Sequence, residues 1–157
     1  MKKYLILPLI IFLFVVTTFF SQKTYAATFN FDPDSGVVQE SAAIDVQLDS
    51  AGESLEKATA VVGYDSSKVT VSAQSGDYFS VFQSESTEAG KLVLTGQIES
   101  EATQGQSGTG ILATLTITPK ITSGQFSLTF LCSASETDDS EILNMSGTNL
   151  LETDDQC

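Results

Sequence analysis

The chain contains no histidine, no arginine and no tryptophan, and only two cysteines and three prolines. Without histidine there is no side chain whose ordinary pKa lies near neutrality, no Ser-His or Cys-His nucleophile pair, and no ordinary zinc site. Without tryptophan, the most effective flat platform for stacking on a sugar ring is missing. Positive charge is scarce as well: seven lysines face 20 acidic residues, for a net charge of −13. That balance repels phosphate backbones and excludes nucleic acid as a partner. Its simplest reading is the charge that keeps a protein soluble outside the cell. No window holds apolar residues at a sustained period near 3.6, so amphipathic helices are not expected.

What is present begins with a secretion signal over residues 1–26. Lys2 and Lys3 precede an apolar run from Leu5 to Phe20, which gives way to Ser21-Gln22-Lys23. Thr24-Tyr25-Ala26 sets small residues three and one positions before a cut, so cleavage is expected between Ala26 and Ala27. The run is shorter than the ~20 residues of a spanning helix and contains Pro8. The mature chain, Ala27 to Cys157, keeps four lysines against all 20 acidic residues, net −16. No second apolar run follows, so no membrane span is expected in it. The expected location is secreted, or held at the cell surface by another molecule.

The mature sequence alternates apolar and polar residues with a period of two. Phe29 and Phe31 start a first strand that ends at Asp32-Pro33-Asp34-Ser35-Gly36, a run of turn residues. Ile44, Val46 and Leu48 alternate with Asp45, Gln47 and Asp49. Ala58 to Tyr64 is apolar enough to be covered on both faces. Further strands are expected over Val69 to Ala73, Phe79 to Ser84 and Lys91 to Ile98. Glu99 to Gly110, with Gly105, Gly108 and Gly110 among Ser, Thr and Gln, reads as a mobile connection.

Ile111, Ala113, Leu115 and Ile117 then alternate with Leu112, Thr114, Thr116 and Thr118 up to Pro119, and Phe126, Leu128, Phe130 and Cys132 share a face. Ile142-Leu143 and Leu150-Leu151 flank Ser146 to Asn149 in what reads as a last short hairpin. About nine short strands spaced by turns, with no helix to cross between parallel neighbours, indicate an all-β, antiparallel two-sheet sandwich. The sandwich is expected over residues 27–135, with residues 136–157 as an acidic tail. Cys132 and Cys157, the two cysteines of an exported chain, are expected to form a disulfide that pins this tail. Such a bridge is worth about 3 kcal/mol in the chain-entropy model.

Four segments resemble the cohesin domain, the receptor module of cellulosomes and related bacterial surface assemblies. They are Thr28-Phe29-Asn30-Phe31, the stretch Ala60-Val61-Val62-Gly63-Tyr64-Asp65-Ser66-Ser67-Lys68-Val69, Gly90-Lys91-Leu92, and Gly108-Thr109-Gly110-Ile111-Leu112-Ala113-Thr114-Leu115-Thr116-Ile117. The resemblance spans about Ala27 to Leu131. It implies a nine-stranded jelly-roll sandwich that binds a dockerin module through the outer face of one sheet, the calcium belonging to the dockerin.

For a partner face, the outward positions of the strand from Lys91 to Ile98 are Val93, Thr95 and Gln97, with Val61 on a neighbouring strand. An apolar Val93 among Thr and Gln suits a protein-binding patch, and would look the same under a covering loop. Tyr64, Tyr78, Phe79 and Phe82 suit core packing more than sugar stacking. Asp138-Asp139-Ser140-Glu141, Asp154-Asp155 and Asp32 with Asp34 carry oxygen ligands of the kind calcium takes, but lack EF-hand spacing. They are read as solvated loops, so no cofactor or metal site is expected. Glu99 and Glu101 are the least unsuitable acid and base, but lack an evident cleft. The reading is a non-catalytic, extracellular binding module for a dockerin-type or other surface protein. A polysaccharide-binding module of the same superfamily and a structural surface subunit are its alternatives.

Overall fold

Alternation of apolar and polar residues decides the architecture, because each strand can bury one face only by meeting a second sheet. The computed structural model describes residues 26–33, 35–38, 40–122, 124–132 and 139–151. Within them lie ten strands: β1 (Thr28–Asp32), β2 (Ser35–Val38), β3 (Ala42–Asp49), β4 (Leu55–Tyr64), β5 (Val69–Ser75), β6 (Val81–Glu88), β7 (Lys91–Gln97), β8 (Thr109–Pro119), β9 (Gly124–Phe130) and β10 (Glu141–Asn144). They form a four-stranded sheet in the order β1-β3-β8-β5 and a six-stranded sheet in the order β2-β9-β4-β7-β6, with β10 also on β4. Every pairing between these strands is antiparallel. No helix among the described residues is long and apolar enough to cross a membrane.

The expected inward residues meet between the sheets. Ile44, Val46 and Leu48 of β3 and Leu115 and Ile117 of β8 face Ala58, Ala60 and Val62 of β4 and Leu92 and Leu94 of β7 in one core cluster. Burying each large side chain contributes about 1.5–3 kcal/mol. Phe31 stacks on Phe130 with ring centroids 3.9 Å apart, closing one end of the sandwich. Tyr78 and Phe79 enter the core from the segment before β6, and Gly96 leaves room for Phe79, since a Cβ there would come within 2.5 Å of the ring. Tyr64 and Phe82 pack against the same cluster. All four aromatic residues weighed for sugar stacking are therefore packing residues.

Two sequence expectations change at the backbone. Leu112 is an extra residue in β8, where Val46 pairs Ala113 but Gln47 pairs Ile111. This bulge reverses the side-chain phase, burying Leu112 where plain alternation put it outside. The glycine-rich connection after β7 is tied down rather than loose, because Leu55 and Gln106 exchange both backbone hydrogen bonds, at 2.7 and 2.9 Å.

The sandwich also extends past residue 135. Ile142 is fully buried in β10, and Leu151 is buried beside Ala27, with which it forms a parallel bridge. Asn149 Oδ1 accepts the amides of Ile142 at 3.0 Å and Leu151 at 3.1 Å, closing the hairpin expected there. The count is thus ten strands against about nine expected. The residues before Ala26, read above as a secretion signal, the acidic residues Asp34, Asp138, Asp154 and Asp155, and Cys157 lie outside the described residues.

Burial gives Tyr78 a measurable signature. Its hydroxyl donates to the Gly108 carbonyl at 3.2 Å, and burial, with the charge of Asp49 adding to it, raises its pKa above 10.0. A raised folded-state pKa stabilises the fold below the unfolded value and is lost as pH rises through the folded one. Stability measured by denaturant unfolding should therefore fall above about pH 10. Tyr78→Phe should flatten that alkaline limb.

Candidate functional site

The outer face of the six-stranded sheet is set by the register of its strands. Ala58, Ala60 and Val62 of β4 point into the core, so Lys57, Thr59 and Val61 point outward. Across the ladder, Lys57 pairs Gln97, Thr59 pairs Thr95, and Val61 pairs Val93. β6 adds Gln83 opposite Thr95 and Glu85 opposite Val93, while β10 adds Glu141 opposite Thr59. Gly90, at φ +87°, turns the chain from β6 into β7 and passes over Tyr64, whose amide donates to the Gly90 carbonyl at 2.8 Å. A Cβ there would lie 2.5 Å from the Tyr64 carbonyl oxygen, which accounts for glycine before Lys91.

These rows enclose a depression of about 320 Å³. Val61, Val93, Thr59 and Thr95 line its centre; Glu85, Thr87 and Glu88 line it from the β6 side, Asp139 and Glu141 from the β10 side, and Lys57 and Lys91 complete it. Lys57 Nζ lies 2.6 Å from Glu141 Oε1, with both side chains about one-third exposed, at 35% and 32%. A pair so placed contributes up to about 1 kcal/mol, while fixing β10 to β4.

The structure places the four expected partner-face residues differently. Val93 and Thr95 are half-buried in the depression and Gln97 is exposed one row further along. Gln97 instead lines a neighbouring depression with Lys57, Ile98, Glu99 and Met145. Val61 is 1% exposed, so it forms floor rather than contact surface. The reason is local: β9 leaves the edge of β4 and β10 joins it at this residue. Leu131 N donates to the Val61 carbonyl at 2.8 Å, and Val61 N donates to Ser140 Oγ at 2.9 Å.

Reading outward positions alone also missed Thr59. It is 9% exposed, and its Oγ1 is covered with no hydrogen-bond partner. An unmet buried hydroxyl is unfavourable, whereas a methyl of the same shape is not. Thr59→Val should accordingly raise stability by about 1 kcal/mol in denaturant unfolding; a loss of stability would show that the hydroxyl is satisfied in solution.

The remaining candidates are dispersed. Glu99 and Glu101 are both exposed. Among the described residues, no group of three or more Asp, Glu, Cys or His is placed to hold a metal ion. Asp32 accepts a hydrogen bond from Gln47 at 3.1 Å. Asp65 caps the turn after β4, and hydrogen bonds from Ser67 hold its carboxyl below the ordinary aspartate value. Cys132 is half-buried against the core.

No family model matches the chain, and no curated protein does. Solved structures do. The sixth cohesin of scaffoldin B from Acetivibrio cellulolyticus, determined in complex with a Cel5 dockerin, is similar at TM-score 0.65 and 17% identity, over 81% of this chain and 92% of its own. CaCohA2 from Clostridium acetobutylicum is similar at TM-score 0.63 and 18% identity, over 83% and 86%. A type III cohesin module from the cell-surface anchoring scaffoldin ScaE of Ruminococcus flavefaciens reaches TM-score 0.60 at 8% identity, over 78% and 75%. With its two antiparallel sheets and their core, the chain has the β-sandwich fold of cohesin modules.

Proposed function

We propose that this protein is an extracellular, non-catalytic docking module that takes a dockerin-type protein on the outer face of its six-stranded sheet. The observation that carries the reading is the shared fold: a cohesin solved with a dockerin matches 81% of the chain. The face itself supports it. Half-buried Val93 and Thr95 sit at its centre with carboxylates and lysines around them, the apolar core and polar rim of a protein interface. The polysaccharide reading has no comparable support, since its aromatic residues pack in the core.

Export and the disulfide belong to the same proposal. Ala27 is buried and bridged to Leu151, so the sandwich begins at the first residue after the expected cut. No cysteine among the described residues is free, and Cys132 is proposed to pair with Cys157. The intact mass of the exported chain should correspond to Ala27 onward with no thiol reactive under denaturing conditions; a retained signal or two reactive thiols would remove these elements.

The docking test is capture from the host's secreted and surface fraction on the immobilised chain, with and without calcium. Calcium-dependent retention of a protein carrying duplicated Asp-rich loops supports the reading, because the ion would belong to the partner. Retention of polysaccharide alone would replace it with the carbohydrate-binding alternative.

A further inference from the structure

Going beyond the docking reading, we propose that copies of this chain associate end to end, the turn after β8 of one copy seating in the Met145 depression of the next. Two large apolar side chains are exposed among the described residues, Ile121 at 40% and Met145 at 39%. Either alone would be ordinary. They stand, however, at opposite ends of the sandwich. β8, with 11 residues, runs from Thr109 to Pro119, just before Ile121, and so spans about 35 Å. Met145 lies at the Thr109 end. Its amide donates to the carbonyl of Ser54, whose neighbour Leu55 bonds Gln106 in the connection leading to β8.

Shape and charge differ between the two ends in a complementary way. Met145, Ile98 and Ala102 line a depression of about 290 Å³ that Glu56 and Glu99 share. Asp49, Glu53 and Glu101 are exposed at the same end. Lys57, which also lines this depression, is already paired with Glu141 at 2.6 Å. At the other end, Lys120 N donates to the Lys68 carbonyl at 2.7 Å and Lys120 Nζ to the Ser66 carbonyl at 2.8 Å. These bonds hold the Ile121 turn against the turn after β4. Lys91 begins β7 at this end, opposite Gly63. Three of the four lysines in residues 27–157 are thus grouped here, against Glu40, Asp65 and Glu88. One end of an acidic chain is balanced in charge, and carboxylates prevail at the other.

A second copy satisfies both ends at once. Ile121 meets the apolar floor of Ile98 and Met145, whose flexible thioether adapts to an incoming side chain. Lys120 spends one donor on Ser66 and brings its remaining two toward Glu56 and Glu99. Charge then favours balanced end to acidic end and disfavours acidic end to acidic end. The two contacting surfaces are different and lie at opposite ends of the strands, so the contact is heterologous and extends as an open line instead of closing as a pair. Val93 and Thr95 stay outside it, and each copy in the line keeps its docking face.

Sedimentation equilibrium of the exported chain tests this, over concentrations from about 10 µM to about 1 mM because a tip-to-tip contact is small and weak. The average mass should rise with concentration past that of a dimer without levelling, and added salt should reduce the rise. Ile121→Asp should abolish it. Lys120→Glu and Glu99→Lys should each weaken association about fivefold. An equimolar mixture of these two variants should regain the association of the unaltered chain, because the altered turn of one then meets the altered depression of the other. Misfolding of either variant cannot produce that recovery. A chain still monomeric at about 1 mM, a mass that levels at the dimer, a rise indifferent to Ile121→Asp, or a mixture no stronger than its components would overturn the proposal.

Discussion

Ile142→Ala should lower the unfolding free energy by about 4 kcal/mol, near the upper range for truncating a fully buried aliphatic residue. Ile142 is 0% exposed, pairs Ala58 across β4, and accepts the Leu150 amide at 2.8 Å through its carbonyl. Its removal leaves a cavity beneath the strand that, among the described residues, continues the β4 edge after β9 departs. The shift should appear as a lower denaturant midpoint at unchanged slope. A loss below about 1 kcal/mol, the size of an ordinary surface change, would mean that the segment after residue 139 is an accessory to the sandwich rather than part of it.

The second large effect is on binding. Val93→Lys should reduce retention of a docked protein by about 100-fold or more, while leaving the unfolding midpoint nearly unchanged. Val93 is half-buried at the centre of the face, where interface residues carry most of the binding energy. A lysine stem can lie along the floor and keep its charge in water, so the fold tolerates it. The longer side chain and its charge then stand where a docked protein must close against the floor, and a charge desolvated there without a partner is costly. Thr116→Lys on β8, in the opposite sheet, is the control and should bind as the unaltered chain does. Equal losses from both substitutions would point to non-specific charge effects; no loss from Val93→Lys would place docking elsewhere.

Much of this was legible wherever a strand kept strict alternation. Ile44, Val46 and Leu48 in β3, and Leu92 and Leu94 in β7, declared their buried face by spacing alone. Legibility stopped where one residue altered the phase or where the cover was distant in sequence. The bulge at Leu112 leaves no local trace, since Ile111 and Leu112 are equally apolar. Val61 looked like an exposed apolar residue because the segments that join its strand edge, through Leu131 and Ser140 on its backbone, come 70 and 79 residues later. The hairpin around Ile142 was expected, but the acidic residues before it set the tail apart from the sandwich and hid that Ile142 is buried in its core.

The candidate face follows the same division. Val93, Thr95 and Gln97 could be assigned to one surface by period two, and the structure places the first two together in the depression. The unmet hydroxyl of Thr59 depends on what packs above it, which no local pattern encodes. Residues with local turn chemistry were more readable: Asp65, Gly90 and Asn149 each sit where their own backbone or side-chain hydrogen bonds require them.

The central claim is that a protein docks on the outer face of the six-stranded sheet, and amide hydrogen exchange with and without the captured partner tests it most directly. Protection confined to β4, β6 and β7, strongest around Val93 and Thr95, is the expected footprint. Protection over β3, β5 and β8, with β6 and β7 unchanged, would contradict it.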